Sequence, residues 1–156
     1  APVDINLIKI SDIVIESIFI ILFLTFLNTS TNPKYDGYLV ALNSQAFSKF
    51  IIWFNLSLIF NLALNIYLLL KKEWSNISRV LSMVSDFIGV FIFGVLAFKE
   101  NLIDFSKIPQ IPTDLLRSLE FGISIGFKIG FFAVLIISIF DGFKHLRMIY
   151  IKNNSI

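Results

Sequence analysis

Four long apolar runs limit what this chain can fold into. They cover residues 11–27, 50–70, 77–98 and 119–140. Each is close to the ~20 residues that carry a helix across a ~30 Å hydrocarbon core. Lipid offers backbone N–H and C=O groups no partners, so a span that is not part of a closed barrel must be helical. The heart of the first run, Ile18-Phe19-Ile20-Ile21-Leu22-Phe23-Leu24, has no polar residue at all. Composition agrees. Of 156 residues, 56% are hydrophobic and 15% charged, whereas a soluble domain carries about 25% charged residues. The chain cannot cover its own core with polar surface, so lipid must cover much of it. The expected fold is all-α: one integral membrane domain, 1–156, forming a bundle of four transmembrane helices.

Charge sets the expected direction. Lys71 and Lys72 stand between the second and third runs with Arg79 at the start of the third, and Lys144, Arg147 and Lys152 follow the fourth. The opposite segments hold Lys34, Lys49, Lys99, Lys107 and Arg117, offset by Asp36, Glu100, Asp104 and Asp114. The positive-inside rule then places both termini on the cytoplasmic side. Trp53 and Trp74 stand near opposite ends of the second run, as in an aromatic belt. The stretch Asn32-Pro33-Lys34-Tyr35-Asp36-Gly37-Tyr38 is turn-rich, Pro109-Gln110-Ile111-Pro112 breaks the other outer loop, and Thr113 is a candidate N-cap. The chain opens on Ala1-Pro2 rather than Met, which suggests processing, trimming or excerpting, and its first residues lack the basic start of a signal peptide.

Charge inside a span is costly, at least ~2.5–3.5 kcal/mol on insertion scales, and so points to function. Glu16, Asp86, Glu120, Lys128 and Asp141 all fall within or at the ends of the runs. Asp86 and Lys128 are the candidate ion pair of a ligand or ion pathway, with Asn61 and Glu16 beside it. The plainer reading is structural: Lys128 snorkels past Ser124 toward Glu120, and Glu16 and Asp141 reach water. Ser57, Asn61 and Asn65 recur at i, i+4, i+8 with Asn55 nearby, a stripe suited to hydrogen bonds between helices or to a ligand. Ser118, Gly122, Gly126 and Gly130 form a small-residue stripe on the fourth span, the expected helix-packing seam. Gly89 and Gly94 are a weaker version on the third. A faint repeat also shows, in which Glu16 running into Asn28 parallels Asp86 running into Phe98.

The residues of common catalytic sites are missing. There is no cysteine and one histidine, His145, expected at the membrane interface. No phosphate loop, dinucleotide fingerprint, H-E-x-x-H or G-x-S-x-G motif occurs. The expectation is a non-enzymatic protein without metal or cofactor. A net charge of +2 gives no reason to expect nucleic acid as a partner.

Three short motifs carry a family resemblance. Asn43-Ser44-Gln45-Ala46-Phe47 leads into the second span, Lys71-Lys72-Glu73-Trp74 precedes the third, and Asp141-Gly142-Phe143-Lys144 closes the fourth. Their order resembles the membrane-embedded C-terminal half of bacterial HAAS-domain proteins, encoded beside PadR-type transcription regulators. Those proteins carry a small helical cytoplasmic domain ahead of their spans, which has no counterpart here. The resemblance implies a regulatory or sensory membrane protein of a low-GC Gram-positive bacterium. It brings no functional residues with it.

The leading expectation is therefore a small subunit or regulatory component in the bacterial cytoplasmic membrane. Its partners would be the lipid bilayer, other membrane subunits or further copies of itself. The alternative is a component of an oligomeric transporter or channel with a polar pathway through the membrane.

Overall fold

A computed structural model of the chain describes residues 7–30, 45–99 and 112–154. The turn-rich stretch 32–38, residues 43–44 of the resemblance motif and the break at 109–111 lie outside the described residues. Apart from one isolated backbone bridge, the regular structure of the described residues is all helix. Its helices are α1 (Ile10–Ser30), α2 (Gln45–Lys71), α3 (Asn76–Ala97) and α4 (Thr113–Asn153). All four are long and apolar enough to cross a membrane. The protein is thus a candidate multi-pass membrane protein, as its apolar runs predict.

Consecutive helices pack antiparallel. Leu7 at the start of the described chain bridges to Glu73 just past α2. Asn28 and Asn55 exchange side-chain hydrogen bonds at 2.9 Å near the other end of α1. The main helix interfaces are α1–α2, α2–α3 and α3–α4. Two small apolar clusters close the bundle. Leu27 and Leu96 meet near one end, with Phe50, Ile51, Phe54 and Phe127 packed against them, so all four helices contribute. Ile13, Leu64 and Leu68 meet near the other end, with Ile8, Leu69 and Trp74 against them. Most remaining apolar side chains are exposed, as a lipid-facing surface requires.

The link from α2 to α3 is four residues long, 72–75. Lys72 has φ 59, the left-handed conformation that stops a helix. Its N–H donates to the Leu68 carbonyl at 2.7 Å, satisfying one of the last orphan acceptors. Ser75 then caps α3 through a capping box. Its hydroxyl accepts from the Ser78 N–H at 3.0 Å, and its own N–H donates to the Ser78 hydroxyl at 2.9 Å. Such caps contribute about 1 kcal/mol each. The turn therefore fixes α3 against α2 with no spare chain.

α4 departs furthest from expectation. The apolar run predicts a span over 119–140, but the helix has 41 residues. At 1.5 Å per residue it is about 62 Å long, whereas α3 with 22 residues is about 33 Å. No proline interrupts 113–153, and its polar C-terminal part still has good helix formers, so hydropathy ends before the helix does. The helix start also differs. Pro112, not Thr113, is the N-cap, and no side chain caps it.

The excess length lies at one end only. The Asn76 amide, at the start of α3, donates to Asn153 Oδ1 at 3.3 Å, at the finish of α4. The Phe93 and Phe127 ring centroids lie 6.1 Å apart near the other end of α3. The turns of α4 ahead of Phe127 therefore run on past the end of α3.

The expected glycine seam is only partly used. Gly122 and Gly126 have no neighbouring atom that an added Cβ would meet, while at Gly130 it would touch the Phe93 ring at 3.4 Å. The tight approach is at Gly94, where an added Cβ would come within 2.8 Å of Phe131 Cε2. Gly94→Val should therefore cost about 1–3 kcal/mol by overpacking. Gly122→Ala should change stability by less than about 0.5 kcal/mol. Thermal or denaturant unfolding of the two variants in detergent micelles measures both.

Candidate functional site

Between the two apolar clusters lies a layer of polar side chains. The Ser85 hydroxyl donates to Asn61 Oδ1 at 2.6 Å, joining α3 to α2. Ser85 is fully buried, so this bond satisfies a hydroxyl with no access to water. Asn65, one turn from Asn61, is 5% exposed. Its amide nitrogen has no hydrogen-bond partner among the described residues. Asp86 follows Ser85 on α3 and is half-buried. Asp141 on α4 and Glu16 on α1 are its electrostatic neighbours.

The candidate residues are distributed unevenly around this layer. Asn61 is bonded to Ser85, the residue before Asp86, and Glu16 is exposed on α1. Lys128 is not there. It is exposed, and its ammonium lies 5.9 Å from the Phe98 ring centroid, just past the end of α3. No ion pair joins it to Asp86. The cause is the register of α4: the matched ends at Asn76 and Asn153 slide Lys128 toward the far end and bring Asp141 alongside α3 instead. Nor do the acids form a metal centre, since no group of three His, Cys, Asp or Glu side chains converges among the described residues.

A second cluster lies at the Asn76–Asn153 end, and it was not foreseen. Arg79, in the first turn of α3, is 3% exposed. His145 is 9% exposed and is the buried residue of α4. Arg79 Nη1 lies 3.4 Å from His145 Nδ1. The Trp74 ring stands 5.3 Å from the guanidinium carbon and 4.9 Å, centroid to centroid, from the imidazole. Trp74 is thus packed against both polar groups. His145 is packed inside the bundle, against Arg79 and Trp74. Neither residue signals this in sequence, because 66 positions separate Arg79 from His145 and only the register of α4 brings them together.

His145 lies beyond the apolar run of α4. Burial, then the charge of Arg79, holds its imidazole below the ordinary value of 6.5; Asp141 opposes this and Lys144 adds to it. The folded chain therefore binds this proton less readily than the unfolded chain. The stability that follows is whole above pH 6.5 and is lost as pH falls below it.

Comparison with known proteins adds no relative: no family model, no curated protein and no solved structure matches the chain.

The polar layer makes a direct energetic prediction. Asn61→Leu and Ser85→Ala each remove one partner of a buried bond. In a double-mutant cycle their coupling energy should be about 0.6–1.7 kcal/mol, the range for hydrogen bonds between membrane helices. Unfolding of the two single variants and the double variant in mixed micelles measures it.

Proposed function

We propose that this chain is a non-enzymatic subunit of a membrane complex, acting as a regulatory or sensory component through the proteins it contacts. The observation that carries this reading is the unmatched length of α4. Its leading turns continue past α3 and expose Leu115, Leu119, Phe121 and Ile125. They also hold Gly122 and Gly126, which meet no neighbour. A bare helix face with small residues lets another membrane helix approach closely, and dispersion contacts then drive association. The family resemblance supports the regulatory side of the reading.

The membrane we propose is the bacterial cytoplasmic membrane, with both termini inside. Lys71, Lys72, Lys144, Arg147 and Lys152 gather at one end of the bundle, where α2 finishes and α4 finishes. That is the side the positive-inside rule assigns to the cytoplasm.

Gentle solubilisation of native membranes, followed by the mass and composition of the particle that holds this chain, tests the reading. Discrete co-purifying membrane proteins are the expected result. A monomer in mild detergent with no companion would overturn it.

A second reading, an oligomeric transporter or channel component, draws support from the polar layer of Asn61, Asn65, Ser85 and Asp86. Four helices rarely enclose a pore, so this reading needs a homo-oligomer. It predicts that Asp86→Asn lowers cation flux into liposomes at least several-fold, while Lys128→Met, which lies away from the layer, leaves flux unchanged. Flux equal to that of empty liposomes, with or without the substitutions, would remove this reading.

A further inference from the structure

We propose that His145, Arg79 and Trp74 form an acid-released latch that holds the C-terminal part of α4 against the start of α3.

The geometry fixes the state of the imidazole. A guanidinium only donates hydrogen bonds. Arg79 Nη1 lies 3.4 Å from His145 Nδ1, so Nδ1 must offer a lone pair. The latched imidazole is therefore neutral and carries its proton on Nε2. Acid places a second proton on Nδ1. The acceptor becomes a donor that faces another donor, and two positive charges then stand 3.4 Å apart at a buried site. Burial gives water little chance to screen them.

The surroundings determine where that repulsion goes. Among the described residues, the charged groups acting on the imidazole are Arg79 from α3, and Asp141 and Lys144 from α4 itself. Asp141 is exposed and lies one turn away, so it offsets the new charge only in part. Trp74 comes from the short α2–α3 link and packs against Ile13, Leu64 and Leu68. Arg79 stands on α3 one turn past the Ser75 cap. Both are held by short, capped backbone. In the C-terminal part of α4, His145 is the buried side chain, and the Asn76–Asn153 bond that ties its finish to α3 is exposed.

The chain suits a direct test. It has one histidine, two tryptophans and no cysteine. Trp53→Phe leaves Trp74 as the sole reporter, and a protonated imidazole beside an indole quenches its emission. The full chain in neutral lipid nanodiscs would be titrated from pH 8 to pH 4.5. The same titration would follow the separation of spin labels on Ile77→Cys and Tyr150→Cys. These sites are exposed on the two helices and leave Asn76 and Asn153 intact.

The expected result is a loss of Trp74 emission along a one-proton curve with its midpoint below 6.5. The label separation should lengthen with the same midpoint. His145→Gln keeps an acceptor for Arg79 and cannot take up a proton, so both changes should vanish in it while helix content stays unchanged. Emission that does not respond to pH would overturn the proposal. So would a response that survives in His145→Gln, or a titrating imidazole with a fixed label separation. If His145→Gln loses helix content, the single histidine observed by nitrogen NMR in the unsubstituted chain replaces it. A midpoint there that differs from the label midpoint would also overturn the latch.

Discussion

The alignment of α4 on α3 decides which residues of this protein meet. It is pinned at one end by Asn76 on Asn153, near that end by Arg79 against His145, and toward the other by the contact of Phe131 with Gly94. No single one of these is strong. A net hydrogen bond contributes only about 0.5–1.5 kcal/mol. Their spacing along the helices is what counts. A slip of α4 by one turn would move His145 off Arg79 and drive Phe131 out of the space that Gly94 leaves. The contacts thus hold a register that hydrophobicity alone fixes only coarsely, since lipid gives apolar helices no hydrophobic drive to pack on one another.

The same alignment explains how polarity is arranged in the bundle. α1 and α3 are about 32 Å and about 33 Å long, close to the thickness of the hydrocarbon core. Their ends are closed by leucine and isoleucine clusters. Between those clusters Asn61 is hydrogen-bonded to Ser85, and beside the Leu27 cluster Asn28 is bonded to Asn55. An unpaired amide in hydrocarbon costs several kcal/mol, so pairing across helices selects a partner even where it adds little net stability. Because α4 is set toward the Asn153 end, its polar C-terminal part faces the first half of α3. That places Asp141 near Asp86 and His145 against Arg79.

Much of this fold was legible in the sequence. The apolar runs locate all four helices. The limits of the third agree within a residue, because Ser75 and the short basic link end it sharply. The second begins five residues ahead of its apolar run, since Gln45 to Lys49 are helical although Gln45, Ser48 and Lys49 interrupt their hydropathy. The side-chain meetings were harder to read. Hydropathy centres each span on its apolar residues, which put Lys128 at the depth of Asp86. Helix contacts instead set depth through a few specific side chains, and these moved Lys128 to the ring of Phe98. The stripe of small residues on α4 was visible, but Gly94 on α3 makes the closer approach. A glycine's role depends on the ring opposite it, and sequence does not show that ring. Arg79 and His145 had the same difficulty, each being unremarkable alone.

The length of α4 has a mechanical consequence. A continuous helix of 41 residues without proline is a stiff rod, and its contacts with α3 run from Asn153 only as far as Phe127. About 21 Å of it separates Phe127 from Thr113. A tilt of only ~10° about Phe127 would carry the Thr113 end sideways by about 4 Å. A shift of the helix at His145 would be transmitted along this rod to its far end. The two faces of the membrane are then coupled by rigid geometry, with no need for a chain of contacts running between them.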